Sequence, residues 1–207
     1  MPTARQSLLD AALGALAERA WHTVRMVDVA ASAGVSRQTL YNEFGAKDGL
    51  AEALLRRAVD GYLAGVDRAL TAPAPDRPAA VALWTVRAAR TDALVKALLT
   101  GCWAKDLPRP GRRPGSGGPG SPGLPTPGEL LVLVRERMAA ASPPESGDAA
   151  ERCEIALRLA LSCVVVPVPG GDDLDSRVLA LVREASRGPW RRTEGDLSAP
   201  SRTAGGR

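Results

Sequence analysis

Apolar residues recur at helical spacing along almost the whole chain. Leu9, Ala12, Leu13 and Leu16 form a first stripe. Val27, Ala30 and Ala31 follow, small residues that let a second helix approach closely at Gly34, where glycine can take positive φ. Ser36 stands where an N-cap belongs and predicts a helix from about Arg37 to Phe44. In that helix Leu40 and Phe44 share one side. Gln38, Thr39 and Asn42 point away from them, and Arg37 and Tyr41 lie on a flank. Two short helices around a tight turn, with a polar outer face, are the skeleton of a helix-turn-helix.

Downstream the pattern stays helical. Lys47 to about Leu70 predicts one helix of roughly 36 Å, ending near Pro73 and Pro75. Pro78 suits the first turn of the next, which carries Trp84 to about Arg90, and another spans Asp92 to Trp103. From Pro108 to Gly128, seven prolines and seven glycines occupy 21 positions, and a disordered loop is expected there. Gly115, Gly117 and Gly120 satisfy G-x-G-x-x-G, but no strand precedes them and Pro122, Pro125 and Pro127 exclude a following helix, so the dinucleotide fingerprint fails. Helices resume at Glu129 to Ala141, Asp148 to Val166 and Leu174 to Ser186. The β-branched end of the second, Cys163 to Val166, is compatible with a strand, but the preceding Ala and Leu spacing favours helix. The expected fold is all-α, with a three-helix head in residues 1–46, a helical unit in 47–187 and a solvated basic tail in 188–207.

Composition bounds this picture without identifying a function. In 207 residues, 45% hydrophobic residues suffice for a real core. The net charge of +4 invites a nucleic-acid argument, but residues 1–70 hold eight Lys/Arg against eight Asp/Glu, so DNA affinity would depend on local placement of cations. Cys102, Cys153 and Cys163 form no C-x-x-C pair, and reduced thiols in a cytoplasmic protein are expected. Asp10 and Glu18 interrupt any signal-like N-terminus. The most apolar run, Ile155 to Val168, is too short to span a membrane and contains Arg158 and Pro167. A lone histidine, His22, and three scattered cysteines make no recognisable catalytic or metal site. No cofactor, metal or enzymatic activity is expected.

The chemistry of the polar face points to DNA. Gln and Asn amides pair bidentately with adenine edges and Arg with guanine, each good pair being worth about 1–3 kcal/mol against the wrong base. Thr and Tyr hydroxyls more often bind phosphate. A Lys at a helix start, beside backbone N–H groups, suits another phosphate. Arg25, Ser36, Arg37, Gln38, Thr39, Tyr41, Asn42 and Lys47 are therefore the candidate DNA contacts. Any one of them alone would equally serve to solvate a helical hairpin.

The run Ala30-Ala31-Ser32-Ala33-Gly34-Val35-Ser36, followed by Thr39-Leu40-Tyr41 and then Phe44, Lys47 and Leu50, resembles the DNA-binding segment of the TetR family of bacterial transcriptional repressors. The resemblance covers about the first quarter of the chain. It implies a homodimer on a palindromic operator, released by a small-molecule effector, with residues 47–187 as the effector-binding and dimerisation domain. Two positions depart from the pattern. Ala20 stands where many members have Gly at the end of the first helix, and Glu43 stands where a basic or aromatic residue is frequent. A carboxylate there is repelled by phosphate unless it accepts from a cytosine amine or pairs with a neighbouring Arg.

Within the second domain Trp84 and Trp103, on adjacent predicted helices, with Leu98, Cys102 and Met138, are the candidate lining of an apolar effector cavity. The same residues would serve as plain core. The last two apolar helices suit a four-helix dimer interface, or an ordinary intramolecular core. Two rivals to a repressor remain: a helical small-molecule-binding or enzymatic protein with a vestigial helix-turn-helix, and an effector-independent activator.

Overall fold

A computed structural model describes residues 2–110, 123–141, 149–166 and 174–187. Among these the chain is helical and contains no strand. The elements are α1 (Ala4–Glu18), α2 (Met26–Ser32), α3 (Arg37–Phe44), α4 (Lys47–Ala69), α5 (Arg77–Thr91), α6 (Ala93–Thr100), α7 (Pro127–Ala141), α8 (Ala149–Val165) and α9 (Leu174–Arg187). Short 3-10 turns lie at Trp21–Thr23 and Ala74–Asp76.

Local chemistry sets the ends of these helices. Thr3 and Gln6 form a reciprocal capping box at the start of α1. The helix stops at Glu18 because Arg19 turns extended, with φ −153°. Ala20 has φ −61°, so the left-handed cap that glycine serves elsewhere is not used, and its absence from the sequence costs nothing. The expected helix from Asp92 to Trp103 is shorter. Asp92 caps it, accepting from the N–H groups of Leu94 and Val95, and Gly101 at φ 72° closes it after Thr100. The helix of Glu129 starts earlier than expected, at Pro127, because Thr126 and Glu129 form a capping box two residues inside the Pro/Gly stretch. Residues 163–165 end α8 as helix. The core of the expected loop, 111–122, and the basic tail, 188–207, lie outside the described residues.

Two hydrophobic clusters hold the helices together. One gathers Leu8, Leu9 and Ala12 of α1, Trp21, Val24, Val29 and Ala30, Leu40 and Phe44 of α3, and Leu50 to Leu54 of α4. The other starts at Leu55 and collects the rest of α4 with α5 to α9, including Val81, Leu98, Leu130, Met138 and Leu157. The buried members of the first cluster end at Leu54 and those of the second begin at Leu55, both inside α4. The first two turns of α4 are part of the head's core. In the second unit α5 is central, packed by α4, α6, α8 and α9. Thr85 of α5 is fully buried, its hydroxyl donating to the Val81 carbonyl and meeting the Tyr62 hydroxyl at 3.0 Å.

Candidate nucleic-acid interface

The turn between α2 and α3 is a Schellman motif. Gly34 takes φ 67°, its N–H donates to the Ala31 carbonyl, and the Val35 N–H reaches back to Ala30 at 3.1 Å. Val35 then packs against the head's cluster. The turn aims α3 so that Leu40 and Phe44 are buried while Arg37, Gln38, Tyr41, Asn42 and Glu43 are exposed. Ser36 caps α3. Its Oγ accepts the Thr39 N–H at 3.0 Å and lies 2.9 Å from the Thr39 hydroxyl. Gly45, at φ 69°, ends the helix with its N–H on the Tyr41 carbonyl, and α4 begins two residues later.

Side-chain pairing sorts the exposed residues. Gln38 Nε2 donates to Asn42 Oδ1 at 2.8 Å, an i,i+4 amide pair that orients both side chains. That bond leaves the Gln38 carbonyl oxygen and the Asn42 amide N–H groups facing outward. The Arg37 side chain has no ion pair or hydrogen bond among the described residues, and Tyr41 is 49% exposed. Arg25 precedes α2 and is held by both oxygens of Asp28, at 3.0 and 3.2 Å, while Arg19 approaches the same carboxylate at 3.7 Å. Lys47 opens α4. Its Nζ donates to the His22 carbonyl at 3.2 Å and sits 5.2 Å from the centroid of the Trp21 ring. Partial burial there lowers its pKa against the raising effect of Asp48.

Glu43 is neutralised from within the protein. Arg5 of α1 lies 3.3 Å from its carboxylate, donates to its backbone carbonyl and stacks 4.6 Å from the Phe44 ring centroid. Of the two kinds of partner open to this carboxylate, a cytosine amine and a neighbouring arginine, Arg5 supplies the second. Arg5, Asp28, Trp21 and the carbonyl of His22 are supporting groups that pattern reading did not find. A further one is the carbonyl of Asp106, beyond α6, which accepts the Trp21 N–H at 2.8 Å and ties the second unit to the turn beneath Lys47.

Of the five candidate effector residues, Leu98 and Met138 belong to the second cluster and Trp84 and Trp103 pack against it, but the five do not line one cavity among the described residues. Leu98 and Met138 are core, at 3% and 1% exposure. Cys102 and Trp103 follow the end of α6, the first exposed and the second half-buried. Of the five, only Trp84 lines a crevice of about 240 Å³ between α1, α4, α5 and α6. An open groove of about 620 Å³ between α4 and α7 takes none of them. The physical reason is that the middle of the second unit is filled by Tyr62, Val81, Leu130 and Leu157. Among the described residues no group of His, Cys, Asp or Glu could hold a metal ion, and no helix is long and apolar enough to cross a membrane.

Comparison with known proteins agrees with the head's geometry. Residues 8–54 match the family model of bacterial regulatory proteins, tetR family. Over 68 residues the chain is 44% identical to the HTH-type transcriptional regulator AlkX of Mycobacterium tuberculosis (strain ATCC 25618 / H37Rv), covering 33% of this chain and 32% of that protein. Over 73 residues it is 38% identical to the HTH-type transcriptional activator FasR of Mycolicibacterium smegmatis (strain ATCC 700084 / mc(2)155), covering 35% and 33%. The aligned part thus spans about a third of these relatives. A crystal structure of a tetR-family transcriptional regulator from Streptomyces coelicolor shares the fold, with a TM-score of 0.52 at 20% identity over 90% of this chain and 83% of that one. The matched segment ends at Leu54, where the head's hydrophobic cluster also ends. Residues 8–54 of this chain are thus similar to the DNA-binding segment of bacterial regulatory proteins of the tetR family.

Proposed function

We propose that the chain is a sequence-specific DNA-binding transcriptional regulator, a homodimer that represses from a palindromic operator and is released by a small-molecule effector. The observation that carries the reading is the outer face of α3, where an oriented amide pair, an unpaired Arg37 and an exposed Tyr41 stand over a buried Leu40 and Phe44. Adenine presents an acceptor and a donor side by side in the major groove. The outward carbonyl of Gln38 and N–H groups of Asn42 match that pattern together, and Arg37 suits a guanine or a phosphate. Tyr41 and the Ser36–Thr39 hydroxyls serve as phosphate ligands. Lys47 offers its ammonium to the backbone from above Trp21, whereas Arg25 would have to leave Asp28 to do so.

Apolar surface supports the dimer. Val165 and Val166 at the end of α8 are 61% and 72% exposed and Leu181 of α9 is 48% exposed, an area a second copy would cover. Two copies would then place their α3 helices in major grooves about one helical turn or more apart. The effector acts by preferring a dimer whose α3 helices no longer fit. Each tenfold preference corresponds to about 1.4 kcal/mol per site.

The test is a fluorescence-anisotropy titration of the full chain with the duplex upstream of its own coding region, at rising salt. Binding that weakens with salt and is lost in Gln38→Ala/Asn42→Ala supports the reading. Failure to bind that duplex or any operator-like sequence favours a ligand-binding protein with a vestigial head. A reporter in a deletion strain reads the sign of regulation, and activation instead of repression would correct it.

A further inference from the structure

The seam between the head and the second unit is not closed. The crevice of about 240 Å³ there has walls from both sides. Leu13 packs against both hydrophobic clusters and Leu54 belongs to the head, while Tyr62, Ala88, Leu94 and Val95 belong to the second unit. The indole of Trp84 forms part of the wall. Gly61 lies at the mouth, where an added β-carbon would meet no atom within 4 Å.

The polar groups of the rim are not equivalent. The Thr91 hydroxyl donates to the carbonyls of Arg87 and Ala88, and Asp92 is committed to capping α6. Its charge is therefore offset by the N-terminal end of that helix. Arg57 reaches across the seam instead, pairing at 2.6 Å with Asp10 of α1, both side chains half-exposed. It is the rim's cation, and its planar fork suits a carboxylate.

Size and charge together select a ligand. An apolar cavity of about 150 Å³ holds benzene, and drug-sized ligands need about 300 Å³ or more. A single substituted ring fits between these limits. We propose that this crevice binds a small aromatic carboxylate, its ring against Trp84 and its carboxylate on Arg57, and that binding draws Arg57 away from Asp10 and so removes that ion pair between α4 and α1. The exchange of partners supplies the differential affinity that a switch requires: a ligand that competes with Asp10 binds better to the state in which the Arg57–Asp10 pair is open. Its effect on DNA rests on the regulator reading above. The binding itself does not.

The test uses the full chain with nitrogen-15 in its tryptophan indoles, without DNA, titrated with benzoate, benzyl alcohol and benzylamine. The Trp84 signal is assigned with Trp84→Phe among the four tryptophans. Benzoate is expected to give a saturable shift of the Trp84 indole N–H, benzyl alcohol one about tenfold weaker and benzylamine none. Gly61→Leu, which helix propensity favours, fills the mouth and should abolish the shift. Arg57→Gln should weaken benzoate about tenfold. Asp10→Asn, which removes the competitor, should tighten it. A merely structural pair would not produce that gain. No saturable shift, an equal shift in Gly61→Leu, or benzylamine outcompeting benzoate overturns the proposal. The remaining indole signals report folding of each variant. Because no DNA is present, loss of this binding leaves the DNA reading standing, and failure of DNA binding leaves this titration interpretable.

Discussion

The indole of Trp84 occupies the space that a β-carbon on Gly65 would need: such an atom would lie 2.0 Å from Cζ2 and 2.5 Å from Nε1. The glycine lets α5 press its tryptophan against the backbone of α4. There Nε1 donates to the Tyr62 carbonyl at 3.0 Å, and Arg68 covers the ring at 5.7 Å from a centroid. Gly61, one turn earlier on the same helix, faces open space. The same substitution should therefore act in opposite directions at the two sites. Gly65→Ala is expected to cost about 1–3 kcal/mol through overpacking, and Gly61→Ala to gain about 0.5–1 kcal/mol through helix propensity. Urea midpoints of the two variants against the parent check this. Equal shifts of the same sign would mean that Trp84 does not seat on Gly65.

Arg5 and Glu43 make a prediction about coupling. Both are largely exposed, so the pair contributes only about 0–1 kcal/mol to stability. Its larger effect is on the field at the recognition helix. Arg5→Ala should leave Glu43 uncompensated and weaken DNA binding by several-fold, and Glu43→Gln in the same chain should restore most of the loss. A double-mutant cycle read by DNA affinity decides it. Additive losses would show that Arg5 contacts DNA itself.

Arg37 differs from the paired cations around it. Arg37→Ala is expected to leave the melting temperature within about 2 °C, since surface changes rarely exceed about 0.5 kcal/mol. If it contacts phosphate, it lowers the slope of log affinity against log salt by about 1. If it reads a guanine, discrimination at one base pair falls by about 1–3 kcal/mol instead. Unchanged DNA binding would remove Arg37 from the interface.

Tyr62 gives the body a pH signature. The Tyr62 and Thr85 hydroxyls lie 3.0 Å apart, and burial pushes the phenol's pKa up to about 12 against the lowering effect of that hydrogen bond. An unfolded tyrosine titrates near 10. Folding therefore favours the protonated phenol. That stabilisation is complete below pH 10 and is lost as pH climbs toward 12, roughly 2–3 kcal/mol over the window. Denaturant midpoints of the parent and Tyr62→Phe from pH 9 to 12 should converge as the parent loses this contribution. Parallel curves would show that the phenol ionises normally.

Local chemistry was readable and packing was not. Ser36, Leu40 and Phe44 lie within three turns of one another, so cap, anchor and outward face of α3 follow from spacing alone, and its observed limits are those expected. The end of α6 was overrun because apolar spacing carries on through Cys102 and Trp103, while the left-handed turn at Gly101 stops the helix. The start of α7 was carried by Thr126 and Glu129, a capping signal hidden in a run otherwise dominated by Pro and Gly. Arg5 with Glu43, Arg57 with Asp10 and Trp21 with Asp106 are joined only by tertiary packing, which no periodicity encodes. Trp84, Leu98, Trp103 and Met138 share one hydrophobic cluster without lining one cavity for a related reason. Helical spacing says which residues leave the surface, and it does not say whether they meet a cavity.

The most direct measurement is selection of duplexes bound by the full chain from a random pool. The account predicts enrichment of an inverted repeat, with the same bases in both half-sites, and loss of adenine preference within each half when Gln38 and Asn42 are both changed to Ala. Recovery of no common sequence, or of one that the double variant selects equally well, would contradict it.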